Sequence, residues 1–305
     1  MEYQIVKNTI PENIDFGAIL SVNTNRVTQN THGFHKYPAK FIPQIPQWAI
    51  NKYLKNKTGK LILEPFCGSG TTLVESALSG NYSIGIDIDP LSALISKVKT
   101  TIIDIEKLGL IVDWLKKNIE NPPKTLFLPG CQTLEHWFTK ETINKLSIIR
   151  TLINQIDDNF STGKAINDIQ DLLLICFSSI IRRVSNADNE SQKTYVSHTK
   201  IKQPEEVFTL FFSQLDYFIE RITAFSLNPN IKPAKIIVAS SSNSLTELLR
   251  GEKADLAITS PPYIKAIDYI YNQMAELFWI GDIFQMQTQN LQNEKKHNTL
   301  VISKL

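Results

Sequence analysis

Two short stretches hold residue types whose spacing could do chemistry. The first is Glu64-Pro65-Phe66-Cys67-Gly68-Ser69-Gly70-Thr71-Thr72. Its glycines let backbone approach a ligand closely, and a helix starting just after them turns free N–H groups toward it. A phosphate-cradling loop of the form GxxxxGK[ST] is absent. A dinucleotide fingerprint fails because Leu73 stands where its third glycine belongs. What remains is an acid before the loop (Glu64), an aromatic (Phe66), Gly68 and Gly70, and a second acid, Asp87, at the end of the next apolar run. Asp87 suits the two hydroxyls of a ribose. The helix start suits a carboxylate, and Glu64 suits an ammonium group. Adenosine with an amino-acid tail meets all three requirements, and S-adenosyl-L-methionine is such a ligand. The plainer readings are a tight turn for G-x-G and capping acids for Asp87 and Asp89. Asp89, directly before Pro90, fits the cap, which leaves Asp87 for the ribose.

The second stretch is Thr259-Ser260-Pro261-Pro262-Tyr263. Both prolines lack an N–H and fix φ, and the residue before each is pushed to extended geometry. Carbonyls are left pointing outward in a fixed direction. The Ser260 hydroxyl and the Pro261 carbonyl can then accept hydrogen bonds from one NH2 group, with Tyr263 stacked on a flat ring beside it. That arrangement suits a base whose amino group is held and made more nucleophilic. The plainer reading is a strand-ending turn with Tyr263 as a rim aromatic.

The elements that must position these stretches are legible around them. Helical spacing follows Pro43 through Ile45, Trp48, Ala49 and Tyr53. Residues 60–65 read as a buried strand, about 72–78 as a helix and 82–87 as a second buried strand. Strand, loop, helix and strand make one βαβ unit, which favours a parallel sheet. Residues 235–239 and 254–259 read as two more strands, with a short helix over 245–249 between them. Both chemical stretches then fall at carboxyl ends of strands, where open α/β sheets place ligands. A helix over about 268–280 follows, and the Gln- and Asn-rich tail from Gly281 reads as poorly ordered until 299–302. Residues 1–42 read as polar and irregular. Between the second and third strands, helical periodicity marks 105–119, 143–156, 169–181 and 207–225, with a polar loop over 186–203.

The expected fold class is therefore α/β, a Rossmann-like parallel sheet with a helical insertion between its second and third strands. The expected domains are 1–95 with 231–305, and the insertion 96–230. The chain has 305 residues, 42% of them apolar and 20% charged, with a formal net charge of +2. That is ordinary for a globular protein and gives no global basic field, so a nucleic-acid surface must be a local patch. Cys67, Cys131 and Cys176 form no CxxC pair, which argues against a disulfide framework or structural zinc. No signal-peptide core or membrane-length apolar run is present, so the expectation is a cytoplasmic protein without a membrane role.

The first stretch resembles the cofactor motif D-P-F-x-G-S-G-T-T of the amino-group DNA methyltransferases. The second resembles their catalytic motif, in the S-P-P-Y form typical of N4-cytosine enzymes; N6-adenine enzymes more often carry D-P-P-Y or N-P-P-Y. His35-Lys36-Tyr37-Pro38-Ala39-Lys40-Phe41 looks like the family segment that closes over the methionine end of the cofactor, and 274–279 looks like the helix after the catalytic turn. The resemblance implies S-adenosyl-L-methionine as cofactor. It implies a cofactor pocket of Tyr37, Pro38, Ala39, Glu64, Phe66, Gly68, Gly70 and Thr71, with Asp87 on the ribose. Ser260, Pro261, Pro262 and Tyr263 would hold a base flipped out of double-stranded DNA. The methyl group would pass directly to nitrogen, so no cysteine nucleophile is needed and Cys67 reads as a packing residue.

Two departures stand out. Ser241 takes the place of the family's acid after the third strand, where only a neutral hydrogen bond to adenine remains. Family members also continue past the catalytic helix with about three more strands, which 281–305 does not supply. Either a second polypeptide completes the sheet, or the chain is a truncated relative, active or inactive. The helical insertion occupies the place of a target-recognition region, where Arg182, Arg183, Lys193, Lys200 and Lys202 read either as phosphate contacts or as a solvated basic loop. His136-Trp137-Phe138 reads as a packed helix start or a base-stacking surface. His32 and His35 lack a further ligand set for a metal.

Overall fold

A computed structural model describes residues 3–6, 10–14, 19–22, 27–188, 194–197, 199, 201–241, 243, 245–262 and 269–285. The chain opens with strands β1 (Tyr3–Val6) and β2 (Ile19–Val22), paired in parallel. This departs from the irregular reading of 1–42: four-residue strands are too short to reveal a period-two pattern. A 3-10 turn, Asn30–Gly33, precedes α1 (Gln44–Leu54), β3 (Leu61–Glu64), α2 (Thr71–Leu78), β4 (Tyr82–Asp87) and α3 (Pro90–Thr100). Six helices follow: α4 (Ile105–Ile119), α5 (Leu134–Trp137), α6 (Lys140–Asn154), α7 (Ile156–Asn159), α8 (Lys164–Val184) and α9 (Val207–Ser226). The strands then resume with β5 (Ala234–Val238), α10 (Leu245–Leu248) and β6 (Leu256–Ala257), and α11 (Tyr269–Asn272) and α12 (Met274–Ile280) close the described chain.

Two compact units emerge, Met1–Asp104 with Phe218–Ile264, and Ile105–Tyr217 with Lys265–Leu305. The first holds an all-parallel sheet in the order β5-β4-β3-β6. Side chains alternate across β3 as the pleat requires. Ile62 packs with Ala49, Ile50 and Leu54 of α1 and with Ile258. Leu63 points to the other face, with Ile84, Ile86 and Leu249. The register of β6 is pinned where it starts. Asp255 accepts the Leu61 N–H at 2.9 Å and the Lys60 ammonium at 3.0 Å. Backbone bonds from Asp255 to Leu61 and from Ile258 to Leu63 extend the ladder on both sides of β6, so the strand expected over 254–259 is present in shortened form. Among the described residues β6 pairs only with β3, and β5 only with β4.

The second unit is helical. Three of the four periodic segments of the insertion lie in single helices, 105–119 in α4, 169–181 in α8 and 207–225 in α9, which crosses from the second unit into the first. The fourth, 143–156, overruns α6, which ends at Asn154, and reaches the first residue of α7 past a turn at Gln155. The apolar stripe of α8 and the wholly buried α12 share a core in which Trp279 meets Phe138 at 5.7 Å and Phe177 at 6.0 Å between ring centroids. Arg150, 1% exposed, donates to the Trp279 carbonyl at 3.2 Å and pairs with Asp282 at 2.8 Å. The helix expected over 268–280 is broken at Gln273, whose φ of −100° and ψ of 8° interrupt the helical path. Residue 268 and the tail expectation over 299–302 lie outside the described residues.

Candidate active site

Strand order fixes where a ligand can sit. The chain leaves β3 toward β4 on one side, while β6 returns to the other side of β3. The carboxyl ends of β3 and β6 therefore flank a topological switch point, the crevice where open α/β sheets bind ligands. Glu64 ends β3, and Ser260 lies three residues beyond β6.

The glycine loop leaves the end of β3 and lies against the end of β4, where the Cys67 N–H donates to the Ile86 carbonyl at 2.9 Å. Gly68 and Gly70 have φ of +48° and +79°, in the region that disfavours side chains. Gly70 also serves as the N-cap of α2 without a side-chain cap, its own N–H donating to the Cys67 carbonyl at 2.7 Å, and the positive end of the helix is the end suited to a ligand carboxylate. Cys67 is buried and packs beside Gly85, in keeping with a packing role.

One face of α3 holds the loop from behind. Ser92, Ser96 and Lys99 are all buried and fall at i, i+4 and i+7, one stripe of a helix. The Ser96 hydroxyl donates to the Gly68 carbonyl at 2.7 Å, and the Lys99 ammonium donates to the Ser69 carbonyl at 2.9 Å. The Ser92 hydroxyl donates to the Tyr37 hydroxyl at 2.9 Å. Tyr37 in turn lies over the loop: a Cβ built on Gly68 would stand 3.2 Å from its ring. The stripe escaped the sequence reading. Its signal was three polar residues at helical spacing on what should be the apolar face of a helix packed on a sheet.

Glu64 joins the two chemical stretches. It is 3% exposed. Burial pushes its carboxyl up to about 8, and nearby Asp87 adds to the rise, while Thr72 and the backbone N–H of Ser260 pull it back. Its Oε2 is buried without a hydrogen-bond partner. An orphaned acceptor beside a glycine loop fits the ammonium of an amino-acid tail. The residues present thus fit the cofactor read from the sequence.

Asp87 does more than sequence alone suggests. One oxygen accepts the Gly68 N–H at 2.7 Å and the other accepts the Asp89 N–H at 2.9 Å. It braces the loop, and a carboxylate has about four acceptor sites, so each oxygen keeps capacity for a ribose hydroxyl. Burial raises its pKa, and those N–H groups oppose the rise. Asp89 caps α3 through the Leu91 and Ser92 N–H groups at 3.2 Å each.

The other expected positions are placed as follows. Phe66 is 36% exposed beside the loop. Thr71 is buried at the start of α2, Pro38 is half-buried, and Ala39 is exposed with a φ of +49°. Ser241 is half-buried three residues past β5, whose end lies beside Asp87 through the Ala239-to-Asp87 backbone bond. Ser260, Pro261 and Pro262 are exposed, and Tyr263 lies outside the described residues. His32 donates or accepts at 2.8 Å with Glu75, and His35 bonds the Lys36 carbonyl. In the second unit the basic residues serve local structure. Arg182 binds the Asp188 carbonyl, Arg183 pairs with Glu205, and Lys202 caps α8 at the Arg182 carbonyl. Lys193 and Lys200 lie outside the described residues. Trp137 and Phe138 are buried, as a packed helix start requires.

Sheet order, glycine loop and switch-point acid together define a Rossmann-like α/β domain of the methyltransferase type. Residues 4–97 match the model of the N6/N4 DNA methylase family. The chain is 31% identical over 274 residues to the Type II methyltransferase M.MvaI of Kocuria varians, covering 83% of this chain and 57% of that protein. It is 28% identical over 292 residues to the Type II methyltransferase M.BsoBI of Geobacillus stearothermophilus, covering 86% and 55%. The chain thus spans little more than half the length of these relatives. A solved rRNA methyltransferase, aviRa from Streptomyces viridochromogenes, is similar at 13% identity with a TM-score of 0.33, over 80% of this chain and 72% of that one, too remote to bear on function. Residues 4–97 thus carry a domain of the N6/N4 DNA methylase family, and the similarity to the two Type II methyltransferases extends over most of the chain. The methyl donor of that family is S-adenosyl-L-methionine. Among the described residues no helix is long and apolar enough to cross a membrane.

Proposed function

We propose that this protein transfers a methyl group from S-adenosyl-L-methionine to the exocyclic N4 of cytosine in double-stranded DNA, as part of a restriction-modification system. The observation that carries the reading is the ladder bond from the Ile258 N–H to the Leu63 carbonyl at 3.0 Å, which brings the residues just past β6 beside Glu64 at the end of β3. It sets the acid of the cofactor loop against the turn that would hold the base, so donor and acceptor share one crevice. Ser260 before Pro261-Pro262 supports cytosine over adenine. Glu64 would hold the ammonium of the tail, the loop and α2 start its carboxylate, and Asp87 the ribose. When bound, the cofactor supplies an electrophilic methyl group. The Ser260 hydroxyl and Pro261 carbonyl would orient the amino nitrogen for in-line attack and favour the charge that develops on it. The helical insertion over 96–230 is the proposed target-recognition region.

DNA from cells expressing the protein, digested to nucleosides and read by mass spectrometry, is expected to contain N4-methylcytosine. N6-methyladenine in its place would move the specificity to adenine, and tritium transfer from the cofactor to RNA alone would move the substrate. Ser260→Ala alters no residue of the proposed cofactor pocket. It is therefore expected to leave cofactor affinity unchanged while lowering transfer on the order of a hundredfold. Tyr263→Ala should behave alike, and equal loss of cofactor binding would remove both residues from the base site.

We also propose that a second polypeptide pairs with β6 in the active assembly. Its outer edge pairs with nothing among the described residues, and unpaired edges recruit strands. A partner that co-purifies with the wild-type chain, and is lost when proline replaces Ala257 on β6, would support this. A monomer with full transfer activity would overturn it.

A further inference from the structure

The buried face of α3 poses a question of charge that the proposed transfer chemistry leaves open. Lys99 is 0% exposed, and its ammonium donates to the Ser69 carbonyl at 2.9 Å. Among the described residues no carboxylate pairs with it. A second lysine, Lys40, stands close enough to oppose its charge, and that ammonium also finds only carbonyls, those of Val27 at 2.9 Å and His32 at 3.1 Å. The nearby acid Glu75 is engaged by His32. Two desolvated cations satisfied by carbonyls alone are costly unless an anion completes the site. The place where an anion is wanted lies just across the loop. A trans peptide directs its N–H opposite its carbonyl. With the Gly68 carbonyl held by Ser96 on the α3 side, the Ser69 N–H is turned to the ligand side.

We infer that Lys99 is the positive charge that makes the glycine loop a carboxylate site, acting by its charge from behind the Ser69 carbonyl, while the Gly70 N–H of that peptide is spent on the Cys67 carbonyl at 2.7 Å. This rests on the cofactor reading above and adds to it a residue outside the loop. Serine at 92 and 96 fixes the geometry of the loop; Lys99 adds the charge that geometry alone lacks. Burial pushes the Lys99 ammonium well below the ordinary lysine range, with Lys40 contributing. A bound carboxylate favours the protonated form and reverses that shift.

The test compares two ligands that differ only in the carboxylate: S-adenosyl-L-homocysteine, and its decarboxylated form, which keeps the adenosine, the thioether and the amine. Titration calorimetry on Lys99→Gln, which keeps a hydrogen bond to Ser69 without the charge, is expected to show affinity for the first ligand falling on the order of ten- to a hundredfold. Affinity for the second should be nearly unchanged. Lys99→Arg, which keeps the charge, should retain most of the preference for the carboxylate. Equal weakening of both ligands by Lys99→Gln would mean that Lys99 only supports the loop, and would overturn the inference while leaving the cofactor reading intact. Failure of the wild-type chain to bind either ligand would overturn the cofactor reading and the inference with it. One measurement needs no variant: the Lys99 side-chain resonance of the wild-type protein should titrate at higher pH with the homocysteine ligand than with the decarboxylated one, and identical titrations would refute the proposal.

Discussion

Cofactor affinity is expected to peak near pH 8 and to fall on both sides. The acid limb belongs to Glu64. Burial holds its carboxyl up to about 8, so below that pH the free protein carries it protonated. The ammonium of an amino-acid tail needs the carboxylate, so binding releases a proton. Apparent affinity then improves as pH rises, by up to about tenfold per unit, and levels off near pH 8. The alkaline limb belongs to the ligand, because a free α-amino group loses its proton at about 7.7–8.0. Calorimetry at pH 7 in buffers of different ionisation enthalpy is expected to show close to one proton released per cofactor bound. Glu64→Gln should abolish that release and lower affinity at pH 8 on the order of ten- to a hundredfold. Asp87 helps raise Glu64, so Asp87→Asn should move the acid limb to lower pH. A wild-type protein that releases no proton at pH 7, or a Glu64→Gln variant that keeps the acid limb, would remove Glu64 from the ammonium site. The same shift has a folding consequence of definite sign. The unfolded chain gives up this proton near 4.5 and the folded one near 8. The favourable contribution of the protonated group is therefore complete below about pH 4.5 and is lost as pH rises toward 8.

What the sequence made legible was local. Glu64 through Thr72 and Ser260 through Pro262 were readable because their chemistry depends on residues adjacent in the chain, where glycine φ and proline geometry act directly. The strands at 61–64 and 82–87 were readable because a buried parallel strand is a short apolar run between turns. The parallel order itself followed from βαβ connectivity. What stayed hidden depends on contacts across the fold. Nothing near Ser92, Ser96 or Lys99 in the chain says that α3 turns this face to the glycine loop. The same polar residues on a solvent-facing helix would look alike. Glu64 read as an ammonium partner, but the turn after β6 comes near it only because β6 pairs beside β3. Asp87 read as a ribose ligand, while its brace on Gly68 requires the end of β4 to lie under the loop. The basic residues near 182–202 were ambiguous for the opposite reason. Charge looks the same whether it meets a phosphate or, as with Arg182 and Lys202, a carbonyl of its own chain.

Gly70→Ala is expected to damage the fold and the cofactor site together, more than alanine at either neighbouring glycine. At Gly68, where φ is +48°, alanine carries a similar backbone cost, but its Cβ would meet only the side chain of half-buried Tyr37, at 3.2 Å, and a ring can shift where backbone cannot. At Gly85 the added Cβ would meet Leu73 Cδ1 at 2.5 Å and Cys67 at 3.0 Å, a core overpacking of about 1–3 kcal/mol in which flexible side chains take up the strain. At Gly70 neither relief is open. The φ of +79° costs a side chain about 1–2 kcal/mol. The added atom would also stand 2.7 Å from Ser96 Oγ and 3.0 Å from Ser96 Cα, and that Cα belongs to the backbone of α3. The two costs together come to about 2–5 kcal/mol, and denaturant unfolding should show a loss in that range. The functional loss has its own cause. Moving Ser96 releases the Gly68 carbonyl, and the loop N–H groups lose the direction that the pinned carbonyl gave them. Cofactor binding should therefore fall further in Gly70→Ala than in Gly85→Ala at matched stability. Ser96→Gly in the Gly70→Ala background removes the side-chain clash, leaving the backbone contact and the φ strain. It should restore part of the stability and little of the binding, because the hydroxyl that held the loop is gone. Recovery of both in the double variant would show that Ser96 acts there as bulk alone and that the loop geometry is set elsewhere.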